Sequence, residues 1–148
     1  MLTSVQIREK IRYYEELISQ YTDEKSKKED DLFELEHLKI KVANLQTRFG
    51  ERQSQRKSSL AVLAAMPQRN RIYPTYCNGM SELLSGREFN KSYDGLTTAG
   101  QKVKKEIENV SDMIDDYERK ISSANSQREY WKSRLRAALA REAEEETD

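Results

Sequence analysis

The stretch that decides the fold is VKKEIENVSDMIDDYERKISSANSQREYWKSRLRAA, residues 103–138. One row of residues recurs along it at alternating steps of four and three, and Arg128 is its only charged member. The row consists of Val103, Ile107, Val110, Ile114, Tyr117, Ile121, Ala124, Arg128, Trp131, Leu135 and Ala138. This heptad period is typical of a coiled coil. With a possible capping box at Thr98-x-x-Gln101, it predicts a helix from about residue 98 to about 142.

A second row of the same period lies near the N-terminus. It consists of Ile7, Ile11, Tyr14, Ile18 and Tyr21, and Thr3-x-x-Gln6 in front of it forms a possible capping box. The row then meets Lys25 and Lys28 and resumes with apolar residues. A step of three from Leu35 to Leu38, where four is due, predicts a stammer, after which the row continues at Val42, Leu45 and Phe49. We predict one helix from about residue 3 to about 64.

The segment between the two helices contains both prolines of the chain. Residues 67–80 predict a turn, residues 81–93 a short amphipathic helix, and residues 95–100 a second connector that contains two glycines. The last residues, 143–148, are mostly acidic, and we expect them to fray because acids oppose the dipole at a helix C-terminus. The predicted fold is therefore all-α. It is a single domain, residues 1–148, forming a long antiparallel, coiled-coil-like helical hairpin with a short middle helix.

Composition removes most enzyme chemistry. The chain has 148 residues with a formal net charge of zero, 35% charged residues, one His and one Cys. A zinc site, a catalytic Cys/His dyad with a second orienting His, and a disulfide framework all need more His or Cys than this. We therefore assign no catalytic, cofactor-binding or metal-binding role to His37 or Cys77. No apolar run reaches about 18 residues, and the N-terminus lacks a secretory signal. We expect a cytoplasmic protein, with export without a cleaved signal left open.

The apolar rows are too wide for a hairpin to cover alone, which predicts a helical partner. We expect the partner-binding surface to consist of Ile7, Ile11, Tyr14, Ile18, Val110, Ile114, Tyr117, Ile121 and Trp131. Some of these residues must instead close the hairpin, and the sequence leaves that division open. Because an unpaired buried charge is costly, Arg128 within the row needs a route to water or an acidic neighbour, either Asp23, Asp30 or Glu129 or an acid of the partner.

A basic stretch runs from Arg48 to Arg71 and has Glu51 as its only acid. It is compatible with a nucleic-acid or anionic-lipid surface, or with a solvated flank that pairs with acids on the returning helix. The zero net charge favours the second interpretation. We therefore predict no nucleic-acid partner and no membrane insertion.

Residues 83–93, LLSGREFNKSY, resemble the turn motif of the YwqH-like group of small helical proteins, which are relatives of the WXG100 proteins. In that motif Trp-x-Gly precedes basic residues, a Phe and a Tyr. Here the turn is Leu84, Ser85 and Gly86, with Leu84 in place of Trp, and Arg87, Phe89 and Tyr93 follow it. The resemblance implies an accessory protein of type VII secretion that is encoded beside LXG-domain toxins.

The function that this resemblance implies is that of a non-enzymatic adaptor or targeting chaperone. Its partner would be the helical N-terminal domain of an LXG-type toxin, with a second small helical protein as a further possible subunit. Two alternatives stay open on the sequence alone. One is a self-assembling coiled-coil scaffold, such as a homodimer, and the other is a helical protein bound to nucleic acid or a membrane surface.

Overall fold

The fold is an all-α helical hairpin, as the sequence predicts. The computed structural model describes residues 1–65 and 72–148, without the side chains of residues 72–74, 84 and 85. Within that part of the chain, 96% of the residues are helical and no strand is present. Helix α1 spans Ser4–Ala65, helix α2 spans Ile72–Ser85 and helix α3 spans Arg87–Thr147. The part of the predicted turn from 67 to 71 lies outside the described residues.

Helix α1 begins at the capping box that the sequence predicts. The backbone N–H of Gln6 donates to Thr3 Oγ1 at 3.3 Å, and the backbone N–H of Thr3 donates to Gln6 Oε1 at 3.0 Å. These reciprocal bonds satisfy donors that have no partner inside the first helical turn. The predicted helix over residues 3–64 is confirmed to within one residue at each end.

The predicted turn over residues 72–80 is wrong, because α2 already begins at Ile72. Pro74 is its third residue, and proline is tolerated in a first turn because the N–H at that place has no helical acceptor. Together α2 and the start of α3 replace the predicted short helix at 81–93.

Helix α3 begins eleven residues before the predicted start at Thr98. The Thr98 hydroxyl does not cap a helix but donates to the carbonyl of Asp94 one turn earlier, at 3.0 Å. Gly95 and Gly100 lie inside α3, since an internal glycine costs only about 1 kcal/mol and the packing of α3 outweighs it. The predicted connector at 95–100 is therefore wrong.

The acidic C-terminal residues are helical up to Thr147, which contradicts the predicted fraying of residues 143–148. The hydroxyl of Thr147 donates to the carbonyls of Ala143 and Glu144, at 3.2 and 2.9 Å. These bonds tie the side chain of the last helical residue to backbone carbonyl groups of the final turn.

Gly86 forms the bend between α2 and α3. A Cβ atom at this position would lie 2.6 Å from the carbonyl oxygen of Glu82, closer than side chains approach a backbone oxygen. No described glycine has a positive φ, so Gly86 is required by the close approach of the backbone and not by a left-handed conformation. This glycine belongs to the predicted turn motif.

The contacts divide the chain into two units, where the sequence predicts a single domain. Unit 1 consists of Met1–Phe33 and Glu108–Asp148, and unit 2 consists of Glu34–Ile107. In unit 1 the two helix segments are antiparallel, because Ser4 contacts Glu142 while Lys25 contacts Glu118. In unit 2 the same orientation holds between α1 and the start of α3. There, Gly100 lies near Val42, and Phe89 stacks on Phe49.

Candidate partner-binding surface

The seam of unit 1 is closed by residues that the sequence assigns to a partner. Ile7 and Val110 are each only 3% exposed, and Ile11 and Ile114 are also buried. Ala138 completes a buried cluster with Ile7 and Ile11, against which Trp131 and Leu135 pack. Residues buried between α1 and α3 are not available to another chain, so these four predicted partner contacts are reassigned to closing the hairpin.

The other predicted partner residues of unit 1 are half-buried along the same seam: Tyr14, Ile18, Tyr117, Ile121 and Trp131. Tyr117 packs against Tyr21 with ring centroids 6.3 Å apart, and the ammonium of Lys120 lies over both rings. Lys10 lies 5.0 Å from the ring centroid of Trp131. These contacts join α1 to α3, so this part of the row also serves the hairpin.

The lysines that interrupt the N-terminal row are paired with acids. Lys25 Nζ lies 3.3 Å from Glu118 of α3 and 3.6 Å from Glu29 of its own helix. The hydrogen bond to Glu118 raises the pKa of Lys25. Lys28 Nζ lies 3.8 Å from Asp31. Sequence reasoning missed Glu118, because finding it requires the register between the two helices.

Arg128 keeps the acidic neighbour that the sequence requires. Its Nε atom lies 3.6 Å from Glu129 Oε1, as an ion pair that is too long for a hydrogen bond. The same Nε atom is buried and has no hydrogen-bond partner in the described chain. Glu129 was one of the three predicted acids, whereas Asp23 and Asp30 are not in contact with this arginine in the described ion pairs.

At the end of unit 1 where both termini lie, the start of α1 is bonded to α3. The backbone N–H of Ser4 donates to Glu142 Oε1 at 2.9 Å, and this bond lowers the pKa of Glu142. Arg141 donates to the carbonyl of Leu2 at 3.2 Å and also contacts the sulfur of Met1. A carboxylate at the N-terminus of α1 is further favoured by the helix dipole.

The lowered pKa of Glu142 predicts a pH dependence of stability. Its bond to Ser4 stabilises the fold fully above the unfolded-state value near 4.5 and is lost as the pH falls through the lower folded-state pKa. Urea unfolding of the wild type and of Glu142→Gln should therefore differ at pH 7 and converge towards pH 3. The matched control is Glu144→Gln, an exposed position of the same turn. An equal difference at both pH values would contradict the assignment.

Unit 2 has a more polar seam. Gln46 Nε2 donates to Thr97 Oγ1 and, at 3.4 Å, to the carbonyl of Tyr93. Gln53 is buried, and its Nε2 atom has no partner within the described chain. A seam with polar members gives less hydrophobic stabilisation than an apolar one of the same length.

The predicted motif residues lie at the end of this seam. The Phe89 ring stacks on Phe49 at 4.9 Å and an interplanar angle of 14°, and it also stacks on Tyr93 at 5.9 Å. Gly86 forms the bend just before them, whereas the side chain of Leu84 lies outside the described residues. The motif therefore contributes the bend and an aromatic stack to unit 2.

Leu38 and Leu45 do not belong to the seam, so the predicted stammer is wrong. They are 45% and 55% exposed, whereas Val42, Gln46 and Phe49 of the same helix are half-buried in the seam. The heptad period continues without a shift from Leu35 to Val42, seven residues later, and only the row position between them lacks an apolar residue. Leu38 and Leu45 are seven residues apart and so share one side of α1. We call this pair the leucine flank.

The sequence favours pairing between the basic stretch and acids of the returning helix, but the described part of the chain contains no such pair. Arg48, Arg52 and Arg56 are exposed and form no ion pair in the described chain. Arg69 and Arg71 lie outside the described residues. Three guanidinium groups on one side of α1 are therefore free to meet an anionic partner.

The remaining candidates for chemistry stay separate. Cys77 is buried in unit 2, and His37 is on the exposed side of α1. In the described part of the chain, no three His, Cys, Asp or Glu side chains are grouped so that they could hold a metal ion. A search of the same residues finds no helix with an apolar stretch that could cross a bilayer.

Comparisons with protein-family models, with curated proteins and with solved structures gave no match. Inferences about function therefore depend on the chemistry of the exposed surfaces and on the motif at residues 84–93.

Proposed function

We propose that this chain is a non-enzymatic helical adaptor that binds another helical protein. The observation that carries the proposal is the leucine flank, Leu38 and Leu45, which α1 presents to solvent beside a polar seam. Unit 1 adds exposed Tyr13, Met113 and Tyr130. These exposed apolar side chains lie outside the buried seam, so burial against a further helix would add hydrophobic stabilisation.

The leucine flank suits a partner helix in particular. Two leucines one heptad apart form the repeating unit of a coiled-coil contact, and they lie directly beside the seam residues of the same helix. A further helix laid along this side would cover both leucines and turn the two-helix contact into a three-helix one. Exposed Leu residues scattered singly would need no such explanation.

We further propose that the partner is the helical N-terminal domain of an LXG-type toxin, for which the chain serves as a targeting chaperone in type VII secretion. The support for this finer assignment is the motif of Gly86, Phe89 and Tyr93. The proposed complex assembles in the cytoplasm and leaves the cell as a unit. A second small helical protein is compatible with the same flank.

The test is co-expression with an LXG domain, the proposed partner, followed by the molar mass of the purified mixture from light scattering. We expect one complex that is heavier than the 17.4 kDa chain. The double variant Leu38→Asp/Leu45→Asp should fold as the wild type does and weaken the complex at least about tenfold, because it places two charges in the contact.

The matched control is Lys39→Gln/Lys41→Gln, which makes the same change of net charge at two exposed positions of the same segment. This control should bind as the wild type does. A complex that tolerates the leucine double variant would contradict the flank assignment. A chain that forms only dimers of itself, with or without the LXG domain, would instead support the scaffold alternative.

A further inference from the structure

A surface groove lies in unit 2 between the end of α1 and α2. Its volume is about 680 Å³, within the range of about 300–1,000 Å³ that ligand-binding clefts occupy. Its lining consists of Arg52, Gln55, Arg56, Ser59, Leu60, Leu63, Tyr76 and Met80. The groove is distinct from the leucine flank, which lies further towards the N-terminus of α1.

The lining separates into an apolar part and a basic part. Leu60 and Leu63 are half-buried on α1, and Tyr76 of α2 is 54% exposed beside Met80. Arg52 and Arg56 are one helical turn apart on the same side of α1 and carry the positive charge. A ligand that fits this groove therefore combines an apolar surface with negative charge along one border.

The charges around the groove are mostly of one sign. Residues 48–57 of α1 contain three arginines and a lysine, with Glu51 as the only acid. Neither Arg52 nor Arg56 forms an ion pair in the described chain, so a bound carboxylate would displace only water from them. Complementary charge at this border is therefore favourable and specific for sign.

We propose that the groove binds an acidic amphipathic helix of the partner protein. Such a helix places large apolar side chains at positions i, i+3 or i+4, and i+7 into an apolar groove. Carboxylates at positions i and i+4 beside that face have the same spacing as Arg52 and Arg56, because four residues make about one turn in both helices. The proposal rests on the proposed adaptor function and names the chemistry of one partner segment.

The test uses two synthetic 18-residue peptides with the same leucine pattern, one with Glu and one with Lys at its polar positions. Each carries a fluorescent label, and its anisotropy is measured against the full-length chain. We expect the Glu peptide to bind and the Lys peptide to bind at least about tenfold more weakly. The double variant Arg52→Glu/Arg56→Glu should reverse this preference.

The control variant is Arg8→Glu/Arg12→Glu, which reverses two exposed arginines of the same helix at the same spacing. It should leave both peptide affinities unchanged. Equal binding of the two peptides, or loss of binding in the control as well, would overturn the proposal. Concentration-dependent self-association that needs Arg52 and Arg56 would assign the groove to a second copy and would also overturn it.

Two further probes address other anionic surfaces. Binding of phosphatidylserine-containing vesicles or of duplex DNA through Arg52 and Arg56, with no preference between the two peptides, would overturn the helix assignment.

Failure of the groove proposal can be distinguished from failure of the proposed adaptor function. A complex with the LXG domain that forms equally well with the Arg52→Glu/Arg56→Glu variant would reject the groove while leaving the adaptor function intact.

Discussion

Replacing Ile114 with Asp should lower the free energy of unfolding by about 3–5 kcal/mol. This size is expected because the substitution removes a buried aliphatic side chain and buries a charge without a partner. Ile114 is 9% exposed in the seam of unit 1. The measurement is urea unfolding followed by circular dichroism at 222 nm, with the midpoint and the slope fitted together.

The matched control is the next residue along α3. Met113 is 45% exposed, so Met113→Asp introduces the same charge on the outside of the same turn. It should change the free energy of unfolding by no more than about 0.5 kcal/mol. Similar losses for both variants would mean that Ile114 does not close the hairpin, and would return it to the candidate partner surface.

Replacing Gly86 with Ala should destabilise the protein by about 1–3 kcal/mol, as an overpacked site does. The added Cβ would lie 2.6 Å from the Glu82 carbonyl oxygen, and this backbone atom cannot swing aside as the end of a flexible side chain does. The bend between α2 and α3 must then open or shift. Urea unfolding gives the size of the loss.

Gly95→Ala is the matched control, with the opposite expected sign. Gly95 lies inside α3, and a Cβ there would meet nothing within 4 Å. Alanine should therefore stabilise the helix by about 0.5–1 kcal/mol through the entropy of the unfolded chain. Stabilisation by both substitutions would contradict a bend that requires glycine.

The sequence predicts well the features that depend on local spacing. The row from Val103 to Ala138 correctly places the seam of α3, because a heptad row can be buried only along one side of a helix. The Thr3 and Gln6 capping box is also local, since its partners lie within one turn. By contrast, Thr98 and Gln101 have the same spacing without forming a cap, because α3 begins at Arg87 and runs on through Gly95 and Gly100.

The division of the apolar residues required the structure. Ile7 and Leu38 are both large apolar residues on α1, yet one is buried and the other is exposed, because α3 follows the unshifted period and the sequence offers an apolar side chain beside it. The seam contains Gln46 instead, a polar residue that the period of apolar residues does not predict. The pairing of Lys25 with Glu118 was missed for the same reason, since these residues are far apart in sequence.

We expect the partner to cover the leucine flank while the seam stays closed, and thiol labelling measures both at once. Leu45→Cys and Val110→Cys are compared in a Cys77→Ser background, free and in the complex with the LXG domain. We predict that the thiol at position 45 reacts rapidly in the free chain and at least about tenfold more slowly in the complex, while the thiol at position 110 reacts slowly in both. A rate at position 45 that does not change on complex formation, or a thiol at position 110 that reacts rapidly until the partner binds, would contradict the claim.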